Sequence, residues 1–116
     1  MTIVKIKTRI GKNCITIEDG QKIYQIIHKS LLKDNVVKLD FNGVEVFASP
    51  FFNTAIGQLL KDIDPESLNH NLKISSLPDS GRATLERVIE NSKKYYADSE
   101  YRNSIGALLK EYSEAN

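Results

Sequence analysis

Short segments in which apolar and polar residues alternate take turns along this chain with longer segments whose apolar residues fall three and four apart. Alternation of period two places every second side chain on one face of a strand, whereas the wider spacing builds one side of a helix. A chain of 116 residues that switches repeatedly between the two patterns has room for one layered α/β domain around a single core. With 41% hydrophobic and 27% charged residues, the composition is that of a folded globular protein, not a disordered one.

Ile3 to Ile10 alternates, with Val4, Ile6 and Ile10 on one face and Lys5, Lys7 and Arg9 on the other. This reads as a half-buried strand. Gly11, Lys12 and Asn13 supply turn chemistry, and Cys14 to Ile17 reads as a second strand returning as a hairpin. Asp19 can cap a helix carrying Ile23, Ile26, Ile27 and Leu31, and Asp34-Asn35 ends it. Val37, Leu39 and Phe41 alternate with Lys38 and Asp40 in a third strand, followed by the Asn42-Gly43 turn signal. Ser49-Pro50 is a helix start, because serine can accept a bond from an orphan N–H and proline fits the first helical positions. The stripe Phe52, Ala55, Ile56, Leu59, Leu60 and Ile63 follows, and Asp64-Pro65 closes it. A polar loop is expected to Asn71, then a strand over 72–77 with Leu72 and Ile74 inward. A helix bearing Leu85, Val88, Ile89, Ser92 and Tyr96 comes next, then a last stripe of Tyr101, Ile105, Leu108, Leu109 and Tyr112.

The expected order is therefore β-β-α-β-α-β-α-α, a single α/β domain with a four-stranded mixed sheet. The first two strands would pair antiparallel, and the later β-α-β units parallel. Because the strands alternate, helices should cover mainly one face. Lys5, Lys7, Arg9, Lys38, Asp40 and Lys73 would then lie on an open face. Residues 1–97 would form the domain and residues 98–116 a C-terminal helix packed on it.

At Val36 to Leu60 the run VVKLDFNGVEVFASPFFNTAIGQLL resembles the core of STAS-type domains, named for sulfate transporters and anti-sigma factor antagonists. It is closer still to a bacterial STAS-like family of unknown function. Leu39, Asp40, Phe41, Gly43, Val44, Ser49 and Phe51 carry the match, and the element order fits over roughly residues 1–97. The resemblance implies a non-catalytic regulator that binds a protein partner, by analogy a kinase-like ATPase that phosphorylates a serine opening the second helix. Ser49 stands at that position. Ala48 replaces an aspartate of those antagonists, and Pro50-Phe51 replaces a Ser-Gly pair.

The expected contact surface is the loop from Val44 to Pro50 with Ser49, Pro50 and Phe51. Ser49 reads either as a simple cap or as a phosphorylation or contact site. Asp40 sits where strand ends gather ligands, or simply answers nearby lysines. Lys5, Lys7 and Arg9 form a possible face for an acidic partner, or protect a sheet edge from aggregation. The runner-up functions are a nucleic-acid-associated protein using that basic face, and a small ligand-binding protein or enzyme at the strand ends. Net charge is only +1, so the molecule as a whole has no strong pull on nucleic acid or membrane. No His or carboxylate lies three or four residues from His28 or His70 in a way that would build a metal site, so no metal site and no cofactor are expected. The single cysteine, Cys14, suits a reducing compartment, and a cytoplasmic location is expected.

Overall fold

The computed structural model describes residues 1–97. The C-terminal helix expected over 98–116, with Tyr101 and Tyr112 of the aromatic stripe, lies outside the described residues.

Strand β1 (Thr2–Lys5) runs beside β3 (Val37–Asp40), and β3 beside β5 (Leu72–Ser75), all parallel in the order β1-β3-β5. The register aligns Val4 with Leu39 and Ile74, and Lys5 with Asp40 and Ser75. A second, two-stranded parallel sheet joins β2 (Asn13–Cys14) to β4 (Val46–Phe47). The expected four-stranded mixed sheet is thus replaced by parallel sheets of three and two strands, while the parallel arrangement of the later units holds.

The correction has a local cause. Each strand of the larger sheet is four residues deep, so no partner strand extends beyond Lys5. The chain turns there into the short helix α1 (Ile6–Ile10), which ends on Gly11 at φ 91°. Ile6 and Ile10 are four apart and fit one helix face as well as one strand face. With α1 in between, β2 cannot fold back on β1 as a hairpin. It is held instead by the β4 segment, with Glu45 N–H donating to Lys12 O at 2.7 Å and Ala48 N–H to Cys14 O at 2.9 Å.

Helix α2 (Ile17–Leu32) opens earlier than expected: Thr16, not Asp19, is the cap, its Oγ1 accepting from Asp19 N–H at 3.1 Å. Helix α3 (Ser49–Ala55) breaks at Ile56 and resumes as a 3-10 turn over Gly57–Lys61, yet the whole Phe52-to-Ile63 stripe remains buried. Gly57 follows the break, where an added Cβ would lie 2.6 Å from Ser92 Oγ. The segment expected as a loop after Asp64 is helix α4 (Pro65–Asn71). Asp64 caps it through Ser67 N–H at 3.1 Å, and Pro65 needs no donor at that position. Helix α5 (Asp79–Ala97) completes the described chain.

Val4, Val37 and Leu39 from the sheet and Phe41 just after β3 meet Ile23 and Ile27 of α2, Phe52 and Ala55 of α3, and Leu85 and Val88 of α5 in one core. Among the described residues no helix is long and apolar enough to cross a membrane.

Candidate functional site

Helices α2 and α3 run in the same direction. Gly20 lies against the Phe51 carbonyl and Thr54, where an added Cβ would come within 2.8 Å of both. One turn on, Gln58 Nε2 donates to Gln21 Oε1 at 3.1 Å, and further along His28 meets Asp62. The two helices therefore begin side by side, Ile17 opening α2 and Pro50 lying in the first turn of α3. The β2–β4 ladder pairs Asn13 with Val46 and ends against this tip.

Ile15, Ile17 and Val46 stand out here. They are 41%, 64% and 43% exposed, large apolar side chains on a chain with a well-filled core. Pro50 is exposed and Ser49 half-buried beside them. Ala48 takes the cap position of α3 with no side-chain cap bond, so Ser49 is the first helical residue and not the cap. Val44 and Phe51, expected as contact residues, are buried in the core and cannot meet a partner. The tip thus keeps Ser49 and Pro50 of the expected surface and adds Ile15, Ile17 and Val46. No local motif in the sequence marks those three as exposed.

Asp40 ends β3, its Oδ1 accepting Asn42 N–H at 2.9 Å, which fixes the turn into Gly43 at φ 84°. Lys7 folds over that turn, so that a Cβ on Gly43 would lie 2.7 Å from Lys7 Cδ. Lys7 and Arg9 belong to α1, so the expected basic row is split: Lys5 stays on the sheet and the other two leave it. Strand order never reverses along β1-β3-β5, so the sheet has no switch point at which its strand ends open a crevice.

Of the two histidines, His70 departs from the expected loop, and His28 has a partner distant in sequence. His28 Nε2 lies 2.9 and 3.1 Å from the two Asp62 oxygens and stacks on Tyr24 with ring centroids 4.6 Å apart. The partners are 34 residues apart in sequence, so no spacing rule reveals them. His70 sits on α4, not in a loop. Burial pushes the Tyr24 hydroxyl above its ordinary value, with Asp62 and Tyr96 adding to the shift. The Cys14 thiol is buried and is pushed up to about 12 by burial and by Asp19, so it is held as the neutral thiol at neutral pH. Among the described residues no three His, Cys, Asp or Glu side chains converge to hold a metal.

No curated protein and no solved structure matches the chain. Residues 19–82, more than half of its length, match the family model of a STAS-like domain of unknown function. This stretch runs from the first turn of α2 through the α3 tip to the start of α5. The chain belongs to the family of STAS-like domains of unknown function.

Proposed function

We propose that this domain is a non-catalytic regulatory module of the cytoplasm that docks on another protein through the tip where α2 and α3 begin. The observation that carries the reading is the exposure of Ile15, Ile17 and Val46 along the segments by which the chain enters α2 and α3, together with exposed Pro50 and a serine free of capping duty in the first turn of α3. Apolar side chains held in water at one end of a domain gain free energy when a partner covers them.

Ser49 is the switch in this reading, and a kinase-like ATPase is the partner implied by the family analogy. Phosphorylation would add close to two negative charges at the edge of the apolar patch. Docking would then have to strip water from a phosphate, so the modified form is the released form.

Capture from native lysate tests this, using the wild-type chain, Ser49→Asp, and the pair Ile17→Glu with Val46→Glu, followed by ATP phosphotransfer on the captured material. The expected result is a protein retained by wild type, weakened by Ser49→Asp and lost with the double variant, with phosphate appearing on Ser49. Identical capture by all three chains, with no phosphate transferred, overturns the reading.

A further inference from the structure

Parallel sheets are almost always covered on both faces. Here Val4, Val37 and Leu39 point into the core, while the opposite face carries Ile3, Lys5, Lys38, Asp40, Lys73 and Ser75. The register aligns Ile3, Lys38 and Lys73 in one row, and Lys5, Asp40 and Ser75 in the next. Lys38 and Lys73 are therefore direct cross-strand neighbours of like charge, an arrangement that destabilises a sheet. Protection of a sheet edge explains Lys5 on β1 and Lys73 on β5, but not Lys38, which is half-buried on the central strand.

Among the described residues no ion pair holds these lysines. Ion pairs there join Lys12 to Glu45, Lys22 to Asp19 and His28 to Asp62, and none involves Lys5, Lys38 or Lys73. Asp40, the one acid on the face, has an oxygen engaged by the Asn42 N–H. Ile3 stands 56% exposed beside the lysines.

We infer that this sheet face is a second docking surface, whose occupant is an acidic α-helix of a partner protein. Three strands about 4.8 Å apart make a platform roughly 10–14 Å wide, the width of one helix. Carboxylates at positions i and i+4 of a helix lie about 6 Å apart and can reach Lys38 and Lys73 together, with an apolar neighbour over Ile3. Nucleic acid fits less well, since the face has no aromatic ring on which a base could stack. This surface is separate from the α2–α3 tip and does not depend on the role proposed for it.

The test uses the full chain and a fluorescein-labelled, alanine-based helical peptide of about 20 residues with glutamate at every fourth position, read by fluorescence anisotropy. The comparison probes are the same peptide with glutamine for glutamate and a 20-nucleotide single strand of DNA. The glutamate peptide should bind at low salt and at least tenfold more tightly than the glutamine peptide. The pair Lys38→Gln with Lys73→Gln should weaken it at least tenfold, and Lys29→Gln on α2 should leave it unchanged. Absence of binding, equal binding of the two peptides, equal loss with Lys29→Gln, or tighter binding of DNA each overturns the inference. Circular dichroism of the double glutamine variant separates a lost surface from a lost fold.

Discussion

The two faces of the three-stranded sheet share one backbone and differ in almost everything else. On the packed face, Val4, Val37 and Leu39 are buried against α2, α3 and α5. On the other, one residue along each strand, Lys38 and Lys73 face each other, and among the described residues neither is held in an ion pair. Strand alternation allows this, because neighbouring residues answer to different environments. The stability of the domain should therefore reside on one face, and the other is free to carry charges that stability does not favour.

The sharpest way to break that contrast is to truncate neighbours on β3. Leu39→Ala should lose about 2–5 kcal/mol in urea unfolding, from lost burial and the cavity left behind. Lys38→Ala should stay within about 0.5 kcal/mol of wild type. Equal losses would mean that the lysine face is packed as tightly as the core.

Cys14 probes the packed side through pH. Its thiol is buried, and its pKa is raised from 9.0 to about 12. Above pH 9 the unfolded chain releases the thiol proton while the folded chain keeps it, so stability falls as pH rises. The fall amounts to about 1 kcal/mol by pH 10 and continues until the folded thiol also ionises near pH 12. Unfolding of wild type and Cys14→Ala at pH 8 and pH 10 checks it: this part of the slope should vanish in the variant. The native thiol should also resist Ellman's reagent at pH 8 and react once the chain is unfolded in urea.

A smaller effect is expected where α4 closes over the same core through Leu68. Asp64→Ala removes the bond to Ser67 N–H and should cost about 1 kcal/mol. Asp64→Asn should recover most of it, since the amide oxygen can still accept.

How legible these features were depends on whether one segment's own pattern decided them. Val37 to Phe41 alternates between apolar and charged residues and turns at Asn42-Gly43, so β3 and both of its faces followed from the sequence. Ile3 to Ile10 was ambiguous, because Ile6 and Ile10 satisfy a strand and a helix alike, and only the four-residue depth of the sheet chooses between them. Asp64-Pro65 ends one helical stripe and also starts the next helix, and reading it only as a stop concealed α4. β2 and β4, two residues each, are too short to show a period at all. The candidate tip was half visible for the same reason. Ser49-Pro50 announces a helix start, but no pattern within these segments marks Ile15, Ile17 and Val46 as exposed or Phe51 as buried.

The finest test of the two faces is Lys73→Glu. It converts the like-charged row on β3 and β5 into an opposite-charged pair, and cross-strand pairs of this kind are worth roughly 0.2–1 kcal/mol. The variant should therefore be more stable than wild type by a few tenths of a kcal/mol in low salt, with the difference shrinking in 0.5 M sodium chloride as the charges are screened. The same substitution should weaken binding of the acidic helical peptide. A gain in stability joined to a loss of binding is what a face selected for contact requires, because its lysines repel each other until a partner's carboxylates arrive. If Lys73→Glu lowered stability at low salt instead, the lysines would already be neutralised within the folded chain, and the contrast between the two faces would have to be abandoned.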